Sequence, residues 1–194
     1  MKTLEQLRNL YTGDETDFQE YLAGIISRLP KRYQKISVKD LPENINEYCY
    51  QPKEIERNGL YLFGKSGTGK THYAYTVAFL ARANKITTEI VNANKLLNEI
   101  QQSFNSPKTF NVSEINERAS FLVIDDLGAH KVSEWSSNLF YLLINERYEA
   151  MQPTLFTSNL SLDEVSELLG DRITSRIAEM CSIIEVQGDD KRLK

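Results

Sequence analysis

Apolar residues fall along this chain in short runs separated by longer stripes. Leu60 to Phe63, Ile86 to Val91, Phe121 to Asp125, Thr154 to Thr157 and Ile183 to Val186 are each short and apolar or β-branched, the pattern of buried strands. Between them apolar residues recur at helical spacing. Ala74, Val77, Ala78 and Ala81 follow the first run, and Leu96, Ile100 and Phe104 follow the second. Leu139, Phe140, Leu143, Ile144, Tyr148 and Met151 form a stripe from about Glu134 to Met151. Ser161-Leu162-Asp163-Glu164 fits a capping box opening another short helix. Strand and helix in alternation predict an α/β fold: a parallel sheet covered on both faces, with ligands at the carboxyl ends of its strands.

Upstream, Leu4, Leu7, Leu10, Tyr11, Phe18, Leu22, Ile25 and Ile26 are interrupted by Thr12-Gly13-Asp14, which reads as two short amphipathic helices around a turn. Residues 31–41, bracketed by Pro30 and Pro42, are poor in helix signals and are expected to run extended over the surface. The division that follows is a short helical segment, 1–28, and an α/β domain, 29–194.

Composition narrows the classes. With 194 residues, 41% hydrophobic and 26% charged, the chain is long enough for one substantial core. Its apolar runs are strand-length, far short of the ~20 residues of a membrane span. The start lacks the apolar stretch of a signal peptide, so a cytoplasmic location without membrane attachment is expected. Cys49 and Cys181 stand alone, with no zinc or disulfide spacing. The net charge of −4 argues against a domain held to nucleic acid chiefly by a large positive field, and the cluster Lys31, Arg32, Lys35 and Lys39 reads first as a solvated face.

Chemistry enters directly after the first apolar run. Gly64-Lys65-Ser66-Gly67-Thr68-Gly69-Lys70-Thr71 matches G-x-x-x-x-G-K-[ST] in full. Glycines let consecutive N–H groups face phosphate oxygens, Lys70 adds a point charge near the β and γ phosphates, and Thr71 offers a hydroxyl to Mg²⁺. A nucleotide with magnesium is therefore the expected ligand. Phe121-Leu122-Val123-Ile124-Asp125-Asp126 ends a buried strand in two carboxylates. Asp125 is expected to hold the metal, directly or through water, and Asp126 to orient the attacking water. Asn159, closing Thr157-Ser158-Asn159, is either a turn residue or a neutral amide directed at the γ-phosphate. Arg172 and Arg176 lie four apart, hence on one helical face, as surface charges or as arginines reaching a neighbour's phosphate. Arg192 reads as a phosphate contact or a solvated tail residue, and Arg147 as structural.

Taken in order, these motifs, with Asp125-Asp126-Leu127-Gly128, Pro153-Thr154-Leu155-Phe156-Thr157-Ser158-Asn159 and Asp171-Arg172-Ile173-Thr174-Ser175-Arg176-Ile177, resemble the AAA+ ATPases of the DnaC, DnaI and IstB group. The resemblance covers roughly residues 30–194 and includes Pro30-Lys31-Arg32-Tyr33. It implies a P-loop AAA+ core with five parallel strands ordered 5-1-4-3-2. It also implies sensor 1 at Asn159, an arginine finger at Arg176 beside Arg172, and sensor 2 at Arg192. By the same likeness the expected function is slow, assembly-stimulated ATP hydrolysis by a DNA replication helicase loader, homo-oligomeric on single-stranded DNA and bound to a replicative helicase. Alternatives are a transposition helper, a small-molecule kinase and a non-hydrolysing scaffold. Asp126 stands where many AAA+ proteins carry Glu. The chain is read as stopping just after the fifth strand, with no C-terminal helical lid, so neighbours would close the pocket. The likeness makes 29–194 the AAA+ ATPase domain and the 1–28 segment a partner-binding candidate, much shorter than a full helicase-binding domain. Lys108 and Phe110, within the stretch Ser103 to Ser120, and Lys131 read as DNA contacts or as ordinary loop residues.

Overall fold

Five pentapeptides, Gly59–Phe63 (β1), Thr88–Asn92 (β2), Phe121–Asp125 (β3), Thr154–Ser158 (β4) and Cys181–Glu185 (β5), form a parallel sheet ordered β2-β3-β4-β1-β5. This is the expected order. The computed structural model describes residues 1–50, 59–103, 112–129 and 133–191.

Side chains alternate across the sheet as a period of two requires. Leu60, Leu62, Phe121, Val123 and Leu155 face one apolar cluster, and Tyr61, Leu122, Ile124 and Phe156 face the other. The first cluster is closed by Lys70–Ala83 (α4), by Glu15–Ser27 (α2) through Phe18 and Leu22, and by Glu43–Tyr50 (α3) through Ile45 and Cys49. The second is closed by Ala93–Ser103 (α5), Ser113–Arg118 (α6), Glu134–Glu149 (α7), Leu162–Leu169 (α8) and Asp171–Met180 (α9). Strands with both faces covered read as continuous apolar runs, which is why they were visible in the sequence. Among the described residues no helix is long and apolar enough to cross a membrane.

The N-terminal helices, Leu4–Leu10 (α1) and α2, each begin with a capping box and flank the turn at Thr12-Gly13-Asp14. They belong to the α4 layer: Tyr21 Oη donates to the carbonyls of Arg82 and Ala83 at 3.3 and 3.1 Å.

Three expectations need correction. Residues 31–41 are not extended but form two 3-10 turns, Lys31–Tyr33 and Val38–Asp40, the first closed by Tyr33 N–H on the Pro30 carbonyl at 2.8 Å. The second strand begins at Thr88, because Lys85 and Ile86 finish α4. Lys85 sits at φ +61°, its N–H bonds Arg82 O, and Ile86 N–H bonds Ala81 O, the paired closure of a Schellman motif. The fifth strand begins at Cys181, where α9 runs into it without a loop. Two helices, α3 and α6, had no counterpart in the sequence reading, being too short for their periodicity to stand out. Phe104, expected to continue the α5 stripe, lies outside the described residues.

Candidate functional site

The carboxyl ends of β1, β2, β3 and β4 open into one cleft of about 800 Å³, a nucleotide-sized volume. Ser66, Gly67, Gly69, Lys70 and Thr71 line its floor. Asn92, Asp125, Asp126, Thr157 and Asn159 line the strand ends, Arg32, Tyr33 and Asp40 one wall, and Lys191 the rim.

The phosphate loop depends on glycine at its two ends. Gly64 has φ +137°, and a Cβ there would stand 2.6 Å from Val186 O. Gly69, at φ +104°, is the N-cap of α4, turning the chain so that the helix N-terminus faces the cleft. Lys70 is 7% exposed. Its Nζ donates to Gly64 O at 2.6 Å, Lys65 O at 2.8 Å and Asn159 Oδ1 at 2.9 Å. That last bond joins the phosphate loop to the end of β4 and places Asn159 in the cleft beside Lys70.

Asp125 is held by three side chains. Thr157 Oγ1 donates to Asp125 Oδ1 at 2.6 Å, and Thr71 and Asn92 also hydrogen-bond its carboxylate. Burial raises its pKa; the three hydrogen bonds oppose the rise and the neighbouring Asp126 adds to it. Asp126 has φ +64°, a left-handed conformation costing a non-glycine residue roughly 1–2 kcal/mol. Its N–H is received by Thr157 Oγ1 at 2.9 Å.

The raised Asp125 pKa has a stability consequence. The native state holds this proton more tightly than the unfolded chain, whose carboxyl ionises near 3.8. The stabilisation is complete below that unfolded value and is lost as pH rises through the native one. Asp125→Asn removes the burden of a buried charge. Without magnesium or nucleotide it is expected to raise the melting temperature at pH 7, with the gain shrinking as pH falls toward about 4. Thermal melts across this range check it; an equal or lower melting temperature at pH 7 contradicts it.

The donor set fits magnesium. Asp125 and Thr71 are hard oxygen ligands beside the phosphate loop. Among the described residues no group of three or more His, Cys, Asp or Glu could hold a metal alone. One carboxylate, one hydroxyl and the oxygens of a bound phosphate are the usual partners of this ion.

Arg172 and Arg176 do not line the cleft; Arg32 is its one arginine among the described residues. Arg176 is tied to α7. Its Nε donates to Asn145 Oδ1 at 2.6 Å, its NH1 to Arg172 O at 2.9 Å and its NH2 to Tyr141 Oη at 3.3 Å, with the guanidinium 4.9 and 5.6 Å from the Tyr141 and Tyr148 ring centres. Arg172 is exposed. Arg192, Lys108, Phe110 and Lys131 lie outside the described residues.

Several contributors had not been foreseen. Tyr33 stacks on Tyr75 with ring centres 4.2 Å apart and planes 9° apart, making one wall of the cleft with Arg32. The tail reaches the rim through Lys191. Its N–H bonds Gly67 O at 3.0 Å and its Nζ donates to Tyr73 Oη at 2.6 Å. Asn92 had a usable signal, a polar residue ending a strand at the carboxyl edge of a parallel sheet.

The profile of a family described as IstB-like ATP binding protein matches residues 53–194. An insertion sequence IS5376 ATP-binding protein of Geobacillus stearothermophilus is 29% identical over 146 residues, covering 72% of this chain and 58% of that protein. The replicative helicase loader DnaI of Bacillus subtilis is 25% identical over 179 residues, 82% of this chain and 58% of its own. This chain thus spans little more than half the length of these relatives. Among solved structures, the DnaC helicase loader superposes with a TM-score of 0.70 at 23% identity over 81% of this chain and all of that one. DnaI gives 0.68 at 24% over 85% and 95%. These likenesses identify the P-loop AAA+ fold.

Proposed function

As the chain belongs to the IstB-like ATP-binding proteins, we propose that it is an ATP-hydrolysing assembly switch acting as a replicative-helicase loader. One observation carries this reading. Lys70, Asn159, Asp125 and Asp126 converge on one cleft while Arg172 and Arg176 stand outside it, so the site holds the parts for binding ATP and orienting water but not the α9 arginines.

In this reading the phosphate loop and Lys70 hold the β and γ phosphates, and the base lies toward Tyr33 and Arg32. Thr71 and Asp125 hold magnesium, which when bound neutralises charge on the phosphate oxygens. Asp126 orients the water, and Asn159 passes the state of the γ-phosphate from Lys70 to β4. Arg172 and Arg176 of one subunit reach the neighbour's nucleotide once assembly draws Arg176 from Asn145. Nucleotide occupancy is thereby coupled to assembly on single-stranded DNA. Asp126, a methylene shorter than Glu, suits slow turnover.

The loader assignment draws support from the match to DnaI, which extends over 82% of this chain. A second reading, a transposition helper, draws support from the family match and the IS5376 relative. Co-purification with a replicative helicase or with a transposase separates them. The expected biochemistry is ATP-dependent assembly, with phosphate release rising on addition of single-stranded DNA. ATP binding without release under any of these conditions would reduce the protein to a nucleotide-binding scaffold, and release only with a small-molecule acceptor would make it a kinase.

A further inference from the structure

Thr157 has no assigned role in the chemistry above, yet both its hydroxyl and its carbonyl are bonded to the acidic turn. It is 1% exposed near the end of β4. Its hydroxyl gives its proton to Asp125 Oδ1 and receives the N–H of Asp126. Its carbonyl receives the N–H of Leu127 at 2.8 Å. Next along the strand, Ser158 Oγ donates to Leu127 O at 2.6 Å and receives Leu160 N–H at 3.1 Å. Four bonds thus clamp residues 125–127 onto the tip of β4.

The clamp matters because of what it holds. Asp126 is in the left-handed region, where a non-glycine residue stays only if its surroundings impose it. The direction of its carboxylate follows from that backbone conformation. The rotamer of Asp125 is set by the same hydroxyl. A valine would fill the same volume in the core, so packing alone gives no reason for the oxygen.

We propose that Thr157 is a positioning residue for hydrolysis: its hydroxyl fixes both the metal-side carboxylate and the water-side carboxylate, and Thr157 shares its strand end with Asn159. The two carboxylates and the Lys70 contact are therefore carried by one short segment, 157–159. Displacement of Lys70 from Asn159 by a phosphate shifts the strand tip that also sets Asp125 and Asp126. This rests on the reading of Asp125 and Asp126 as hydrolytic groups.

The test compares Thr157→Val, which keeps shape and loses the hydroxyl, with Thr157→Ser, which loses a methyl and keeps it. A purely packing role predicts that serine is the worse variant; a positioning role predicts the reverse. With a fluorescent ATP analogue and steady-state phosphate release under assembling conditions, the valine variant should bind within about threefold of wild type and lose about 100-fold in kcat. Serine should recover to within about fivefold of wild type. In the nucleotide-free protein, exchange of the Asp126 amide proton should speed up at least about tenfold in the valine variant and not in the serine one. Should the valine variant not fold, alanine, which leaves room for a water on the Asp126 N–H, takes its place. Wild-type kcat in the valine or alanine variant, or serine as impaired as valine, overturns the proposal. If wild type itself turns over no ATP, the hydrolytic reading fails, and an unchanged Asp126 exchange rate still decides against the clamp.

Discussion

Lys70→Ala is expected to weaken ATP binding at least about 100-fold, roughly 3 kcal/mol. The ammonium is held at one point by Gly64 O, Lys65 O and Asn159 Oδ1, so its charge is already placed when a nucleotide arrives. Charge-assisted hydrogen bonds contribute about 1.5–3 kcal/mol each, and alanine removes the cation along with every bond it makes. The loss extends beyond affinity. Without Lys70 the γ-phosphate has no link to Asn159, so assembly loses its ATP dependence. Titration with a fluorescent ATP analogue and light scattering with and without ATP measure the two effects. Affinity within about threefold of wild type would mean that the loop does not grip phosphate through this residue.

The second large effect falls at the opposite end of the sheet. Arg147→Leu is expected to destabilise the protein by about 3–5 kcal/mol. Arg147 has no exposed surface. Its Nε donates to Thr154 Oγ1 at 2.7 Å, its NH2 to Pro153 O at 2.9 Å, and its NH1 to Ala119 O at 3.0 Å, with further bonds to Gln152 and Asn116. The guanidinium thereby ties α7 to the amino ends of β3 and β4. Among the described residues no carboxylate pairs with it, and burial lowers its pKa to about 10. Leucine strands the carbonyl of Ala119, an unsatisfied buried group costing about 1–3 kcal/mol, and removes the charged hydrogen bonds to Thr154 Oγ1 and to Pro153 O, which keeps the N–H of Leu122. For a domain this size each kcal/mol moves the melting temperature by roughly 2–4 °C, so the shift should exceed about 6 °C. At low temperature ATP affinity should be unchanged, because the cleft lies at the carboxyl edge. Urea unfolding of Arg147→Leu beside Arg118→Ala checks the claim. Arg118 makes an exposed 3.5 Å pair with the Glu114 carboxylate and an exposed Nε bond to Glu114 O at 2.9 Å, both within its own helix, and its loss should cost less than about 1 kcal/mol.

Which parts were legible beforehand follows from how local each signal is. The phosphate loop and the acidic strand end are contiguous, and their residue types are dictated by the ligand, so Gly64 to Thr71 and Asp125 could be read from a few positions. The strands were visible because burial on both faces removes alternation. Strand order could not come from periodicity; it entered with the family resemblance. Asn159 was ambiguous, since only the fold brings its amide to Lys70, 89 residues away. Tyr33, Asn92 and Lys191 reach the cleft by packing, in a segment of short 3-10 turns, at a strand end and in a tail. Asn92 and Lys191 belong to no motif whose spacing announces them, and the Pro30-Lys31-Arg32-Tyr33 segment carries no signal that its tyrosine walls a cleft. Arg147 was readable as structural because a lone arginine among Leu143, Ile144 and Tyr148 on an apolar stripe points inward. What it bonds to was not readable, since its acceptors are mostly carbonyls from other elements.

The arginines decide whether the cleft is half of a shared site. Arg172→Ala/Arg176→Ala subunits should bind ATP but not hydrolyse it, and Lys70→Ala subunits should hydrolyse nothing for want of nucleotide. Mixed in equal amounts under assembling conditions, the two should recover phosphate release, as arginines of the Lys70→Ala subunits meet ATP held by their neighbours. A mixture as inactive as its separate components, or full activity in the arginine double variant alone, would contradict a site completed by the adjacent subunit.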